Sequence, residues 1–400
     1  MSLLSPGSHR VAALFSDEAL IATMLRVEVA WSAALADTGI ASTAQAAAVA
    51  RAAASGTITP DTLAAATESA GNPVAPLVSA LRAAVGDSAA AALVHRGLTS
   101  QDVLDTALIV LARTALDRLS VELRASGRAL ARLAREHRDT VMAGRTLGRY
   151  AVPITAGLKA AQWLAGIQEA LGPIEAARAA LPVQCGGAAG TLALLGELTA
   201  DPPATVAAFA HRLGLADPGL PWHTRRTPIT TIGHVVVTAC DVLGVLAADV
   251  LALSRPEVNE IREGSAPGRG GSSTMPHKRN PVLSVLVRSA ALRAPQLGAQ
   301  LPVAAAGAVD ERPDGAWHAE WEALRGLLTL ATTAAAQAAE LAAGLEVDTE
   351  VIARHVADAA GDLLAERGTP GDPAAYTGSA GAFVDHVLSR WAAIESEETA

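Results

Sequence analysis

The sequence predicts an all-α protein organised around a central bundle of five long helices. Three observations carry this. Apolar residues recur at helical spacing along nearly the whole chain. Alanine dominates while aromatic residues make up only 3% of the total, which favours close-packed helices over sheets. No stretch alternates as a half-buried strand would, and none repeats at a short period.

Taken in order, residues 17–39 and 42–54 read as N-terminal helices, and 62–85 as another interrupted near Asn72-Pro73. The first long helix is expected over 101–137, opened by Thr99-Ser100-Gln101-Asp102 in the pattern of a capping box. Further long helices are expected over 153–181, 227–254, 282–297 and 315–345. Asn280 followed by Pro281 marks an N-cap and first helical position for the fourth of them. Each is too apolar to be one-sided, so their outer faces are expected to be covered by other copies of the chain. These signals divide the chain into an N-terminal helical domain (1–102), a central bundle (103–345) with a loop at about 262–281, and a short C-terminal helical tail (346–400). In the tail, 368–373 is rich in turn residues and 378–391 keeps a helical pattern.

Half of the residues are apolar, enough to bury a large core. The net charge of -9 argues against nucleic acid as a partner. Cys185 and Cys240 are too few for a disulfide framework, and residues 1–10 lack the apolar core of a signal peptide. The longest apolar run, 229–253, is interrupted by His234, Asp241 and Asp249, which fits a bundle helix rather than a membrane span. The expectation is a soluble, cytoplasmic protein.

The most informative segment is Gly270-Gly271-Ser272-Ser273-Thr274-Met275-Pro276-His277-Lys278-Arg279-Asn280-Pro281. Among 31 basic residues only Lys159 and Lys278 are lysines, and the only asparagines are Asn72, Asn259 and Asn280. A lysine kept in a chain that otherwise uses arginine points to a need for a compact ammonium that arginine cannot supply. The helix N-terminus that follows and Lys278 together form a field that stabilises an anion or a developing enolate oxygen and eases deprotonation of a serine. Gly268, Gly270 and Gly271 suit a segment that closes over substrate, with Ser272 or Ser273 acting as general base.

This string resembles the signature of the fumarase/aspartase superfamily, whose members form or break a bond beside a carboxylate through an aci-carboxylate intermediate. Three further segments carry the same likeness: residues 95–102, residues 144–146 with 153–159, and residues 184–191. The resemblance implies a homotetramer whose active sites join segments from three subunits, with a small polycarboxylate as substrate. The histidines lack metal-ligand spacing and no phosphate-binding glycine motif accompanies a strand, so no metal or other cofactor is expected. The resemblance implies Ser272 as the base, with Lys278 and Asn280 binding and polarising the substrate carboxylate. It implies substrate contacts from His95, Thr99, Ser100, Arg145, Thr146, Arg149, His223, Ser273, Met275 and Arg279.

Within the superfamily, residues 70–78, Pro221-Trp222-His223-Thr224-Arg225-Arg226 and the tryptophan pair of 315–322 look like the 3-carboxy-cis,cis-muconate cycloisomerase family. That likeness implies lactonisation in the protocatechuate (β-ketoadipate) branch of aromatic catabolism. Leu147 replaces the histidine of fumarase-like members, as it does in the cycloisomerases. Gly148, Arg149 and Arg225 depart from the cycloisomerase pattern, leaving open a divergent β-elimination lyase acting on nitrosuccinate or a succinyl adduct. A non-catalytic homologue is disfavoured by the intact Ser272, Lys278 and Asn280. His95 alternatively packs against Asp102, His223 and His318 alternatively sit in interfaces, and Asp310-Glu311-Arg312 reads as a solvated turn.

Overall fold

The computed structural model describes residues 3–272, 274–275 and 277–399, with side chains to residue 396. Helices Asp17–Asp37, Thr43–Ala53, Pro60–Ala70 and Val74–Val85 precede the long helices Ser100–Glu136, Ala156–Ala179, Thr227–Leu253, Val282–Ala306 and Gly315–Ala343. The break at Asn72 has a local cause. Its Oδ1 accepts the Val74 and Ala75 N–H groups at 3.0 and 3.3 Å, capping the helix that follows.

Two departures from the sequence reading shape the region around the loop. Residues 141–146 and 149–155, the latter expected to run into a helix from residue 153, form an antiparallel hairpin, so the second long helix starts at Ala156. The turn is Leu147-Gly148, both in the left-handed region (φ 51° and 77°), which matches the twist of a tight hairpin. A second antiparallel pair joins Ile261–Glu263 to Leu345–Val347, tying the start of the loop to the end of the last long helix. The fourth long helix runs on through Pro295 and Pro302 to Ala306.

The chain divides into two compact units, one of residues 1–117, 175–234 and 296–329, the other of 118–174, 235–295 and 330–400. Each of the five long helices contributes residues to both. In the first unit, Trp31 on Asp17–Asp37 is fully buried, packs edge-on against Phe209 (centroids 5.4 Å apart), and donates Nε1–H to the Arg96 carbonyl at 2.9 Å. In the second, Thr227–Leu253 lies so close to Val282–Ala306 that a Cβ at Gly244 would stand 2.4 Å from Ala291 Cβ. Thr227–Leu253 is apolar and long enough to cross a membrane, and this contact places it as a bundle helix. The tail closes with helix Ala380–Thr399, docked by Arg138 Nε and Nη2 donating to Asp385 at 2.8 and 2.7 Å and by Trp391 filling the space beside Gly127.

Candidate active site

In the first unit the Ser100–Glu136 helix is opened by Asp102, whose Oδ2 accepts the Thr99 N–H at 2.9 Å as the capping pattern predicts. The same carboxylate accepts the Gly186 and Gly187 N–H groups at 2.9 Å each and meets His223 Nε2 at 2.8 Å. One buried carboxylate therefore ties together the 95–102, 184–191 and 221–226 strings. A methyl group at Gly186 would stand 2.8 Å from His223 Cε1, so only glycine lets the loop approach the ring.

His95 does not pack on Asp102. Its N–H and Nδ1 meet Glu28 Oε2 and Oε1 at 2.9 and 2.7 Å, and Glu28 is fully buried in the middle of an apolar helix. His95 holds a left-handed backbone (φ 62°), uncommon outside glycine, and Glu28 fixes it there. Thr99 is buried, Ser100 half-buried, and His223 only 4% exposed, so the His223 ring serves Asp102 rather than an open surface.

Behind these loops lies a second buried set. Arg226 donates to both oxygens of Asp105 (2.6 and 3.0 Å) and to Glu320 at 2.6 Å, with its guanidinium 4.9 Å from the Trp222 ring centre. Asp105 also accepts from Trp317 Nε1 at 2.9 Å and Gln101 Nε2 at 3.2 Å. Burial pushes the Glu320 carboxyl upward while Arg226 pulls it down.

In the second unit the Gly-rich loop is pinched at its neck. Gly271 bridges Arg279 in antiparallel fashion, and the Gly270 carbonyl accepts both the Asn280 N–H (2.8 Å) and Asn280 Nδ2 (3.1 Å). Gly270 has φ 72°, and a Cβ there would stand 2.4 Å from the Asn280 carbonyl oxygen. Asn280 is thus part of the neck and not the helix cap that its sequence position suggests. The second and third N–H groups of Val282–Ala306 are taken by Glu263, whose oxygens accept from Leu283 at 3.2 Å and Ser284 at 3.0 Å, while the Val282 N–H donates to the Asn280 carbonyl at 2.9 Å. A carboxylate from a neighbouring strand already occupies the positive helix end, so the loop's positive field comes from its side chains.

Within the pinched segment, Ser272 Oγ accepts the Met275 N–H at 3.1 Å and lies 3.4 Å from the Thr274 nitrogen. Ser273 lies outside the described residues. Lys278, Arg279 and Met275 are exposed, and neither Lys278 nor Arg279 pairs with a carboxylate among the described residues. A cleft of about 450 Å³ beside them is lined by Asn259, Arg262, His277, Lys278, Arg279 and Asn280, among others. Arg145, by contrast, is committed: Nη1 and Nη2 donate to the buried Glu260 at 2.8 and 2.7 Å, and this pairing raises its pKa. His355 Nδ1 meets the same carboxylate at 2.7 Å, which gives the C-terminal tail a polar anchor beside the hairpin. Thr146 and Arg149 are exposed at the hairpin end, and Arg225 is exposed with one 3.3 Å donation to the Leu220 carbonyl.

The predicted residues therefore fall into two groups. His95, Thr99, Ser100 and His223 belong to the first unit; Arg145, Thr146, Arg149, Ser272, Met275, Lys278, Arg279 and Asn280 belong to the second. Glu28, Glu260, Glu263 and His355 complete these groups and escaped the sequence reading. Among the described residues no group of three or more His, Cys, Asp or Glu side chains gathers as a metal site requires. Burial raises the Cys185 thiol well above its ordinary range, away from thiolate chemistry.

A family model described as "Lyase" matches residues 8–295, and the chain belongs to that family, within the fumarase/aspartase superfamily of lyases. It is 47% identical over 374 residues to nitrosuccinate lyase of Streptomyces davaonensis, covering 91% of this chain and 79% of that one. It is 42% identical over 357 residues to 3-carboxy-cis,cis-muconate cycloisomerase of Pseudomonas aeruginosa, covering 88% and 77%. The crystal structure of the 3-carboxy-cis,cis-muconate lactonizing enzyme from Pseudomonas putida superposes with a TM-score of 0.88 at 32% identity, over 96% of this chain and 97% of that one. The all-α fold and the lyase class read from the sequence both hold.

Proposed function

We propose that this lyase removes a proton from the carbon beside a carboxylate and expels an anionic group from the adjacent carbon, with nitrosuccinate as substrate and fumarate and nitrite as products. Ser272 Oγ takes the carbon-bound proton. Its contact with the Met275 N–H at 3.1 Å carries the reading, because a donor aimed at the oxygen favours the alkoxide over the hydroxyl. Lys278 and Asn280 hold the carboxylate as its negative charge builds, and Lys278 has no competing carboxylate among the described residues. The nitrite choice is supported by the 47% relative and by Gly148, Arg149 and Arg225, which depart from the cycloisomerase pattern. The two added guanidinium groups suit a differently placed anion.

The second reading is cycloisomerisation of 3-carboxy-cis,cis-muconate, the same chemistry run as an internal carboxylate addition. It is supported by the 42% relative and by the structural likeness over 96% of the chain. Purified protein offered both compounds separates the two. Nitrite release from nitrosuccinate is expected to exceed loss of muconate absorbance by at least about tenfold in kcat/KM. Faster turnover of the muconate would overturn the first reading in favour of the second.

The superfamily likeness and the apolar faces of the long helices further support a homotetramer with shared sites. Val121, Val245, Val285, Leu292 and Val303, all on long helices, are each at least half exposed in the single chain, which leaves apolar faces to be covered by other copies. Ser272→Ala and His95→Ala subunits, each inactive alone, are expected to recover part of the activity when mixed and reassembled. No recovery, with a monomer in light scattering, would exclude sharing.

A further inference from the structure

Arg312 sits in a turn that the sequence marks as solvated, yet its Nη2 donates both to Thr99 Oγ1 and to the Ala188 carbonyl, the latter at 3.0 Å. These acceptors belong to the 95–102 and 184–191 strings, so one guanidinium joins two of the loops that carry the superfamily likeness. The turn is built to aim it. Asp310 takes a left-handed backbone (φ 54°), and the buried Pro313 fixes the exit into the Gly315–Ala343 helix.

The charge is left unanswered. Both oxygens that Arg312 touches are neutral, and its Nε and Nη1 have no acceptor among the described residues. Arg145, Arg226 and Arg269 are each held by a carboxylate instead. If loop bracing were the whole role, a neutral donor would serve equally well. Nη2 is spent on the two loops, so Nε–H and the Nη1 hydrogens remain as separate charged donors, each able to give one hydrogen bond to a carboxylate oxygen.

We infer that Arg312 contacts a substrate carboxylate, with Thr99 and Ala188 holding its plane, and so selects acids that carry a second carboxylate group. The inference rests on the lyase reading above for the nature of the substrate, and direct binding tests it without turnover. Titration calorimetry with succinate, a non-reacting dicarboxylate, is the probe. Arg312→Met is expected to weaken succinate binding by roughly 10- to 100-fold, the range for loss of a charged hydrogen-bonded pair. Arg312→Lys, which keeps the charge but cannot both brace the loops and donate to substrate, should fall between the two, and millimolar guanidinium should restore part of the binding to Arg312→Met. A purely structural brace would give neither graded loss nor rescue.

Glu311→Gln, at the exposed neighbouring position, serves as the control and should bind as the wild type does. Succinate binding by Arg312→Met within about twofold of the wild type, with melting unchanged, would overturn the inference. Should the wild type release no nitrite yet bind succinate through Arg312, the elimination reading fails and the Arg312 contact stands. Normal nitrite release with unaltered succinate binding by Arg312→Met does the reverse: the contact fails and the elimination reading stands.

Discussion

Ser272→Ala is expected to lower turnover by about 10²- to 10⁴-fold, the contribution of a general base, with the melting temperature unchanged. The side chain supports no core. Its oxygen accepts the Met275 N–H at 3.1 Å within the loop, and the residue is half-buried. A serine hydroxyl is a poor base at neutral pH, so its role depends on donors that favour the oxyanion, and the loop backbone supplies one while Lys278 adds charge nearby in sequence. Lys278→Arg should behave similarly. A planar guanidinium cannot take the place of a compact ammonium in a pinched loop, so this change should be nearly as damaging despite keeping the charge. Steady-state kinetics on both variants, with melting curves as the control, provide the test: near-normal turnover by Ser272→Ala removes it from the base role, and an active Lys278→Arg shows that the loop needs only a positive charge.

What the sequence disclosed and what it withheld follow from the range over which each signal acts. The long helices were legible because apolar spacing repeats over many turns, and the Thr99–Asp102 cap because both partners lie within four positions. The hairpin was hidden. Its strands are six and seven residues long, they do not alternate, and Leu147 occupies a left-handed turn position that asparagine or glycine usually announces. Asn280-Pro281 gave a valid local cap signal that a distant partner overrode. Glu263, on its own short strand, reaches the helix end first, and Asn280 closes the loop neck with its N–H and one Nδ2 hydrogen, the second Nδ2 hydrogen being left for a ligand. The partners of His95 and Arg145 were out of reach for the same reason: Glu28 and Glu260 lie 67 and 115 positions away, and only the folded topology selects them. The candidate catalytic residues were readable as a string, while the carboxylates that orient their neighbours were not.

Arg226→Met is expected to destabilise the fold by about 3–5 kcal/mol, the cost of removing one partner from a buried charge cluster. Arg226 and Asp105 are fully buried and Glu320 is 2% exposed, so two carboxylates would lose the cation that pairs them among the described residues while remaining out of water. The two are not equivalent. Asp105 keeps donors from Trp317 and Gln101 at 2.9 and 3.2 Å, whereas Glu320 is held by Arg226 alone among the contacts described. Glu320 is accordingly the member whose burial pushes its carboxyl up, and its ionisation opposes folding. The sign is definite: with the folded value above the unfolded one, the Glu320 contribution is fully present below the ordinary carboxylate range and is lost as pH rises through the raised value. Glu320→Gln abolishes that loss while retaining an acceptor for Arg226, so it should cost only about 1 kcal/mol near neutral pH and flatten this part of the pH dependence. Urea and thermal melts of the two variants across pH 4 to 8 provide the measurement, a window set by the usual carboxylate range and above. If Arg226→Met melts with the wild type, the buried cluster does not govern stability. If Glu320→Gln leaves the pH dependence of the wild type intact, the carboxyl that titrates is another one.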